Sequence, residues 1–336
     1  MLDIFRTDAF SLTTLSDAFI KSPYVPGQIG RMGIFRSSGI STTTAVIEYK
    51  SGSIELIPTS PRGGVGSQLG SLGKRTMKSF IVPHLEKNAT VYADEVQGVR
   101  AFGSENGTEA VQTKVNEKLA RLRAEHEMTL EHMRIGAIQG LVKDSDGSTL
   151  IDLFTEFGES QITAALAVDD DADVPNGLRG SIQAAQRQAE AELGAAPVTG
   201  WTVICGPTFF DDVQKDVNMT STLRYENPAL LTGTQGVSAS ERSFVYAGVR
   251  FVEYRGGTAY IAAADGFLVP EGADVFRTYY APADFVETVN TLGLPGYAKI
   301  VPDDELNRWV RIHTQSNPLV LCLRPRVVVK LSVTVG

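Results

Sequence analysis

Cysteine is nearly absent. Only Cys205 and Cys322 occur among 336 residues, and they form no CxxC pair. A disulfide-stapled scaffold and a thiolate metal site are therefore not expected, and two free buried thiols in a reducing compartment are. Histidine is also scarce. His84, His126, His132 and His313 are the four, and none stands at HExxH or similar ligand spacing. There is no GxSxG nucleophile elbow. No apolar run reaches membrane-spanning length. The opening MLDIFRTDAF carries acidic residues and no long apolar stretch, unlike a secretory signal. Three Asn-x-Thr triplets, at Asn88, Asn106 and Asn218, therefore carry no expected consequence. Positive charge is in deficit: 31 Lys and Arg face 39 Asp and Glu, for a net charge of −8. That balance disfavours a general nucleic-acid binder, which needs clustered cations for phosphate.

Several motifs come close and fail. Gly66–Lys74 is glycine-rich, but Gln68 replaces the first Gly of GxxxxGK and Arg75 the magnesium-binding Ser or Thr. A strand pattern also follows it where a phosphate loop needs a helix. Asp144-x-Asp146-Gly147 resembles the start of a calcium loop, yet Thr155 occupies the twelfth position, where a bidentate Glu belongs. A hairpin turn suits it better. The run Asp169–Asp173 precedes a helix pattern, where solvated acids are the ordinary case. No cofactor or metal is expected.

What the chain does have is a rod. In residues 109–142, Val111, Val115, Leu119, Leu122, His126, Leu130, Met133, Ala137 and Leu141 recur at steps of three and four, one stripe of a helix. Lys114, Glu117, Arg121, Glu125, Glu131 and Arg134 fall on the other side, with Glu117 and Arg121 at favourable spacing. Such a helix is roughly 50 Å long at 1.5 Å per residue. No second segment matches it as a coiled-coil partner, so other layers must lean on it as a spine. His126 lies on the apolar stripe, where a hydrogen-bonded core histidine is expected.

Around the spine the elements are mixed. Residues 1–43 read as an arm with a short helix near 8–19 and then Pro23, Pro26, Gly27, Gly30 and Gly33. The arm has no core of its own and must pack on the body or on another subunit. Residues 44–83 read as a long hairpin. TTTAVIEY and SIELI are its strand-like runs, 58–75 a Gly- and Ser-rich tip, and 77–82 the return. Arg62, Lys74, Arg75 and Lys78 gather there, a local reversal of the chain's acidity that suits docking onto an acidic surface; a solvated loop explains the composition equally well. Leu178, Ile182, Ala185, Ala189 and Leu193 mark a second amphipathic helix. WTVICG is a buried strand, 207–217 a short helix, and 244–254 a hairpin turning at Ala247-Gly248. Residues 200–290 form an α/β unit, and three strands near 307–314, 319–323 and 327–335 close the chain. The order indicates an α+β fold.

One series of residues resembles a known family. It runs Phe251-Val-Glu-Tyr-Arg-Gly256, Ala264-Asp-Gly266, Pro270-Glu-Gly272, Tyr280-Ala-Pro-Ala-Asp284 and Val289-Asn-Thr-Leu-Gly293. It continues with His313-Thr-Gln-Ser-Asn-Pro-Leu319 and Arg324-Pro-Arg326, and Phe35, 42–48, 52–58 and Arg62-Gly63 agree upstream. This looks like the major capsid proteins of tailed bacteriophages, the lambda E-protein-like group. The resemblance implies the HK97 capsid fold and no enzymatic activity. It implies an N-terminal arm at 1–43, an extended E-loop at 44–83 and a peripheral domain at 84–158 holding the spine. An axial domain would span 159–290, and 291–336 would return to the peripheral domain. It further implies hexamers and pentamers in an icosahedral shell around double-stranded DNA, without sequence-specific binding. Scaffolding, portal and decoration proteins would be partners. The location would be the virion, after assembly in the host cytoplasm and with no membrane. Arg62, Lys74, Arg75 and Lys78 would be E-loop contacts between neighbouring copies, without isopeptide crosslinking. An encapsulin-like compartment of the same fold is the alternative reading. A hydrolase or nucleotide-binding enzyme built on 200–290 is a more distant one.

Overall fold

The computed structural model describes residues 12–21, 27–50, 75–93, 95, 107–168, 177–194, 196–216, 242–256, 260–303 and 308–335. The described elements begin with helices α1 (Leu12–Lys21) and α2 (Gln28–Met32) and strands β1 (Arg36–Gly39), β2 (Thr44–Lys50), β3 (Arg75–Ile81) and β4 (Leu85–Tyr92). The spine α3 (Gly107–Gln139) follows, then β5 (Leu141–Lys143), β6 (Thr149–Asp152), α4 (Leu153–Phe157), β7 (Ile162–Val168) and α5 (Gly177–Leu193). Next come β8 (Gly200–Cys205), α6 (Pro207–Gln214), β9 (Ser243–Tyr246), β10 (Val249–Glu253), β11 (Gly266–Glu271) and β12 (Phe276–Tyr280). The chain ends with β13 (Tyr297–Pro302), β14 (Trp309–Ser316), β15 (Pro318–Cys322) and β16 (Val329–Val335).

A mixed six-stranded sheet runs β7-β16-β11-β8-β10-β9. Strand β8 lies inside it, parallel to β10 and antiparallel to β11, and its burial from Trp201 through Cys205 fits a strand covered on both faces. Helix α5 packs on β7 and β16, and α6 on β16 and β10. All five residues of the α5 stripe are buried. The β9–β10 hairpin turns at Ala247-Gly248, with φ of 51° and 80°. Two left-handed residues in succession match the twist of an antiparallel pair. Asp144–Ser148 is a turn between β5 and β6, where the Asp146 carboxylate accepts from the Ser148 amide and hydroxyl.

The smaller sheets explain what the spine does. Sheet β13-β14-β4 covers the N-terminal half of α3. Val115, Leu119 and Leu122 meet Leu15, Phe19, Val91, Ala298, Ile300, Val310 and Ile312 in a core of their own. Leu130, Met133, Ile135, Ala137 and Ile138, on the C-terminal half, belong to the main core. Each such buried Val, Leu, Ile, Phe or Met side chain contributes about 1.5–3 kcal/mol. One 33-residue helix therefore joins two cores.

Between the two cores the helix turns polar. Arg123 is buried, donates to the Phe19 carbonyl at 2.7 Å, approaches Glu127 at 3.4 Å and lies over the Phe19 ring. His126 Nε2 is 3.1 Å from the Thr314 hydroxyl. That hydroxyl spends its proton on the Lys87 carbonyl, so His126 must be the donor. Burial lowers its pKa to about 4, which keeps the ring neutral near pH 7.

Two expectations need correction. Glu131 and Arg134 do not stand on a solvent face. Helix α2 packs against this side of the spine, and Glu131 is buried beneath it. Its carboxylate accepts the amides of Ile29 at 2.6 Å and Gly30 at 3.1 Å, satisfying the start of α2. A Cβ on Gly27 would lie 2.2 Å from the Glu131 Cδ, so only glycine allows this approach. The exposed pairs are also shifted: Arg121 meets Glu125, and Glu117 meets Lys114. Second, residues 291–336 do not return as one unit. β13 and β14 pair with each other and β14 with β4, β15 pairs with β12, and β16 enters the six-stranded sheet between β7 and β11. Backbone pairing decides membership here: β16, which alternates apolar and polar residues, is flanked on both edges by β7 and β11.

Burial raises the pKa of Glu131 above its ordinary 4.5. A carboxyl raised in the folded state adds stability that is full below 4.5 and is lost as pH climbs through the folded value. Denaturant melts of the wild type and Glu131→Gln at several pH values will show the wild type losing ground against the variant as pH rises. A difference that stays constant with pH contradicts the assignment.

Candidate assembly surface

Strands β2 and β3 make a ribbon in antiparallel register, Ala45 opposite Phe80 and Val46 opposite Ser79. Period two divides its side chains between two faces. Ala45 and Phe80 are buried on the body, and Phe80 lies 6.2 Å from the Phe157 ring of α4. The Val82 amide donates to the Thr43 carbonyl and closes the root. The other face points away from the body. Val46, Met77 and Ile81 on it are 61%, 64% and 81% exposed. A two-stranded ribbon with apolar groups on both faces lacks a covering layer on one side, an arrangement of marginal stability alone.

A second apolar surface adjoins the root. A groove of about 850 Å³ is lined by Ile40, Thr43, Ala45, Ile47, Tyr279 and Leu292. Leu292 belongs to 285–294, part of the connection between β12 and β13, which holds a 3-10 turn at Val286–Thr288. In it Val286, Val289 and Leu292 are 87%, 63% and 68% exposed. Sequence reasoning gave no role to these three side chains. Their spacing of three is the only signal, and it breaks off at Gly293 before it can mark a helix.

The four basic residues expected at contacts between copies are placed as follows. Arg62 and Lys74 lie outside the described residues. Arg75 opens β3 opposite Lys50. Lys78 lies on the inward face of the ribbon, 3.7 Å from Glu156 of the same chain. That pair is half exposed, so it adds little stability. The thiols of Cys205 and Cys322 are free and buried. Burial pushes Cys205 up and Cys322 up to about 12, which makes neither a nucleophile. Among the described residues no three His, Cys, Asp or Glu side chains are grouped to hold a metal, and no helix is long and apolar enough to cross a membrane.

A ribbon and a rigid loop that display apolar side chains suit contact between molecules better than chemistry. Comparison with known proteins decides the matter. Residues 11–333 match the model of the phage major capsid protein E family. The chain belongs to that family. It is 28% identical to the major capsid protein of Pseudomonas phage KPP10, across 96% of both chains. It is 25% identical to that of Salmonella phage Felix O1, across 98% of both. Among solved structures, the putative capsid protein of a prophage of E. coli CFT073 superposes with a TM-score of 0.56 at 14% identity, over 98% of this chain and 96% of the other. The fold is accordingly the α+β HK97 type, and this member of the capsid protein E family is a structural shell protein and not an enzyme. Phe80 is the side chain that ties its ribbon to its body. Phe80→Ala will destabilise the folded chain by about 3–5 kcal/mol in a denaturant melt. An unchanged midpoint shows the ribbon holds without it.

Proposed function

We propose that this protein assembles through repeated contacts into hexamers and pentamers that close an icosahedral shell around phage double-stranded DNA. The observation that carries the reading is the uncovered ribbon face of Val46, Met77 and Ile81, which a neighbouring copy covers. Rings formed by such head-to-tail contacts close into capsomers, and many modest contacts add up to a stable shell. In this scheme 1–43 is the arm and 44–83 the E-loop reaching across the neighbour. The spine and the β13-β14-β4 sheet are peripheral, and the six-stranded sheet and its helices are axial. The net charge of −8 suits a wall that encloses DNA without gripping it. Scaffolding, portal and decoration proteins are the further partners, and assembly takes place in the host cytoplasm. Nothing specific favours the encapsulin-like or enzymatic readings.

Electron microscopy of the purified protein, co-expressed with its scaffolding protein where one is needed, will show capsomers or shells. A monodisperse monomer under every assembly condition contradicts the proposal. The basic residues give a narrower test. Arg62→Glu, Lys74→Glu and Arg75→Glu together, leaving Lys78 with Glu156, will keep the melting midpoint and impair assembly. The same triple with Lys78→Glu added will impair it at least as much. Normal particles from both variants show that the cluster is not a docking element.

A further inference from the structure

The loop 285–294 holds apolar side chains in water while being rigidly built. The Thr288 hydroxyl donates to the Ala283 carbonyl at 2.6 Å, and the Thr291 hydroxyl to the Thr288 carbonyl at 2.8 Å. The Gly293 amide donates to the Ile40 carbonyl at 2.9 Å, and the Leu294 amide to the Tyr297 hydroxyl at 2.9 Å. The Ser316 hydroxyl donates to the Pro295 carbonyl just beyond, at 2.8 Å. Hydrogen bonds within the connection hold its first turn, and its C-terminal end is tied both to Ile40 beyond β1 and to the β13-β14 pair. Such a loop does not fold its apolar groups inward. It presents Val286, Val289 and Leu292 outward in fixed positions, at an entropic cost that contact elsewhere must offset.

The charge pattern identifies the occupant. Glu287 is the only charged residue in 285–294, and Lys299 neutralises it at 2.7 Å. Two copies of a chain with a net charge of −8 repel each other over most of their surfaces. A contact between copies is favoured where the surface is neutral and apolar, whereas a cationic partner would select acidic ground. Leu292 also lines the groove at the foot of β2, so this surface runs on toward the uncovered ribbon face. We infer that the 285–294 loop, together with the groove beside Ile40 and Ile47, is a docking surface for a second copy of this chain. The inference rests on the shell reading and names a contact within it.

Two measurements on the full chain test it. In the first, Val286→Asp, Val289→Asp and Leu292→Asp are combined and the variant is compared with wild type by thermal melting, sedimentation and electron microscopy. These side chains are exposed, so the melting midpoint is expected to stay unchanged while capsomers and shells are lost. Shells formed as readily as by the wild type overturn the inference, and so do normal shells that have lost only a different virion protein. In the second, Val289→Cys places one exposed thiol in a chain whose other two are buried. A maleimide will label it at least tenfold faster in the free protein than in the shell. Equal labelling in both also overturns the inference. If wild type forms no assembly at all, the shell reading fails and this contact falls with it. If wild type assembles and the Asp variant does too, only the contact is wrong.

Discussion

The fold depends on how one helix divides its apolar stripe. The first half of the spine packs under the β13-β14-β4 sheet and α1, and the second half enters the main core. Between them Arg123 and His126 form a polar waist in which hydrogen bonds take the place of packing. A helix is a stiff connector, since bending it disturbs its own hydrogen bonds. The two cores are held at a set spacing by the rod, although little apolar contact joins them at the waist. Helix α2 adds a second tie. Glu131 grips its start from the spine, while the Gln28 side chain donates to the Glu253 carbonyl and accepts from the Arg255 amide. The later part of the 1–43 segment is thereby fastened both to the rod and to the exit of β10.

Much of this was legible in the residues. The stripe of the spine, the stripe of α5 and the β9–β10 turn follow from spacing and turn chemistry alone. The role of His126 follows from its place on the stripe. Other features lie beyond local pattern. Glu131 reads as one more surface acid because the partner that buries it, Ile29–Gly30, is a hundred residues away and carries no charge. The closing strands read as one unit because they are adjacent in sequence, yet each finds a different sheet. The run TTTAVIEY marks a strand without saying which face is covered, and the ribbon carries apolar groups on both faces. The spacing of three at Val286, Val289 and Leu292 ends at Gly293 before it can mark a helix, so their exposure is known only from the fold. Of the expected basic cluster only the Lys78 side chain is described, and it is engaged within its own chain.

The surface follows a physical logic of its own. An acidic protein that must meet many copies of itself needs neutral ground on which to do so. On the reading proposed above, the 285–294 loop is such ground, since the pairing of Glu287 with Lys299 keeps it free of net charge, and the ribbon face adds exposed apolar groups beside it. The body beneath is well packed, so these faces are not symptoms of a poor core. On the proposed reading they are places where burial is deferred to a later contact with a neighbour.

The most direct measurement is hydrogen exchange by mass spectrometry on the free protein and on the assembled shell. The account predicts added protection on assembly at 44–50, 75–81 and 285–294, with little change in β8 and in the C-terminal half of the spine, which are already buried in the monomer. Shells in which those three segments exchange as fast as in the free protein would contradict it.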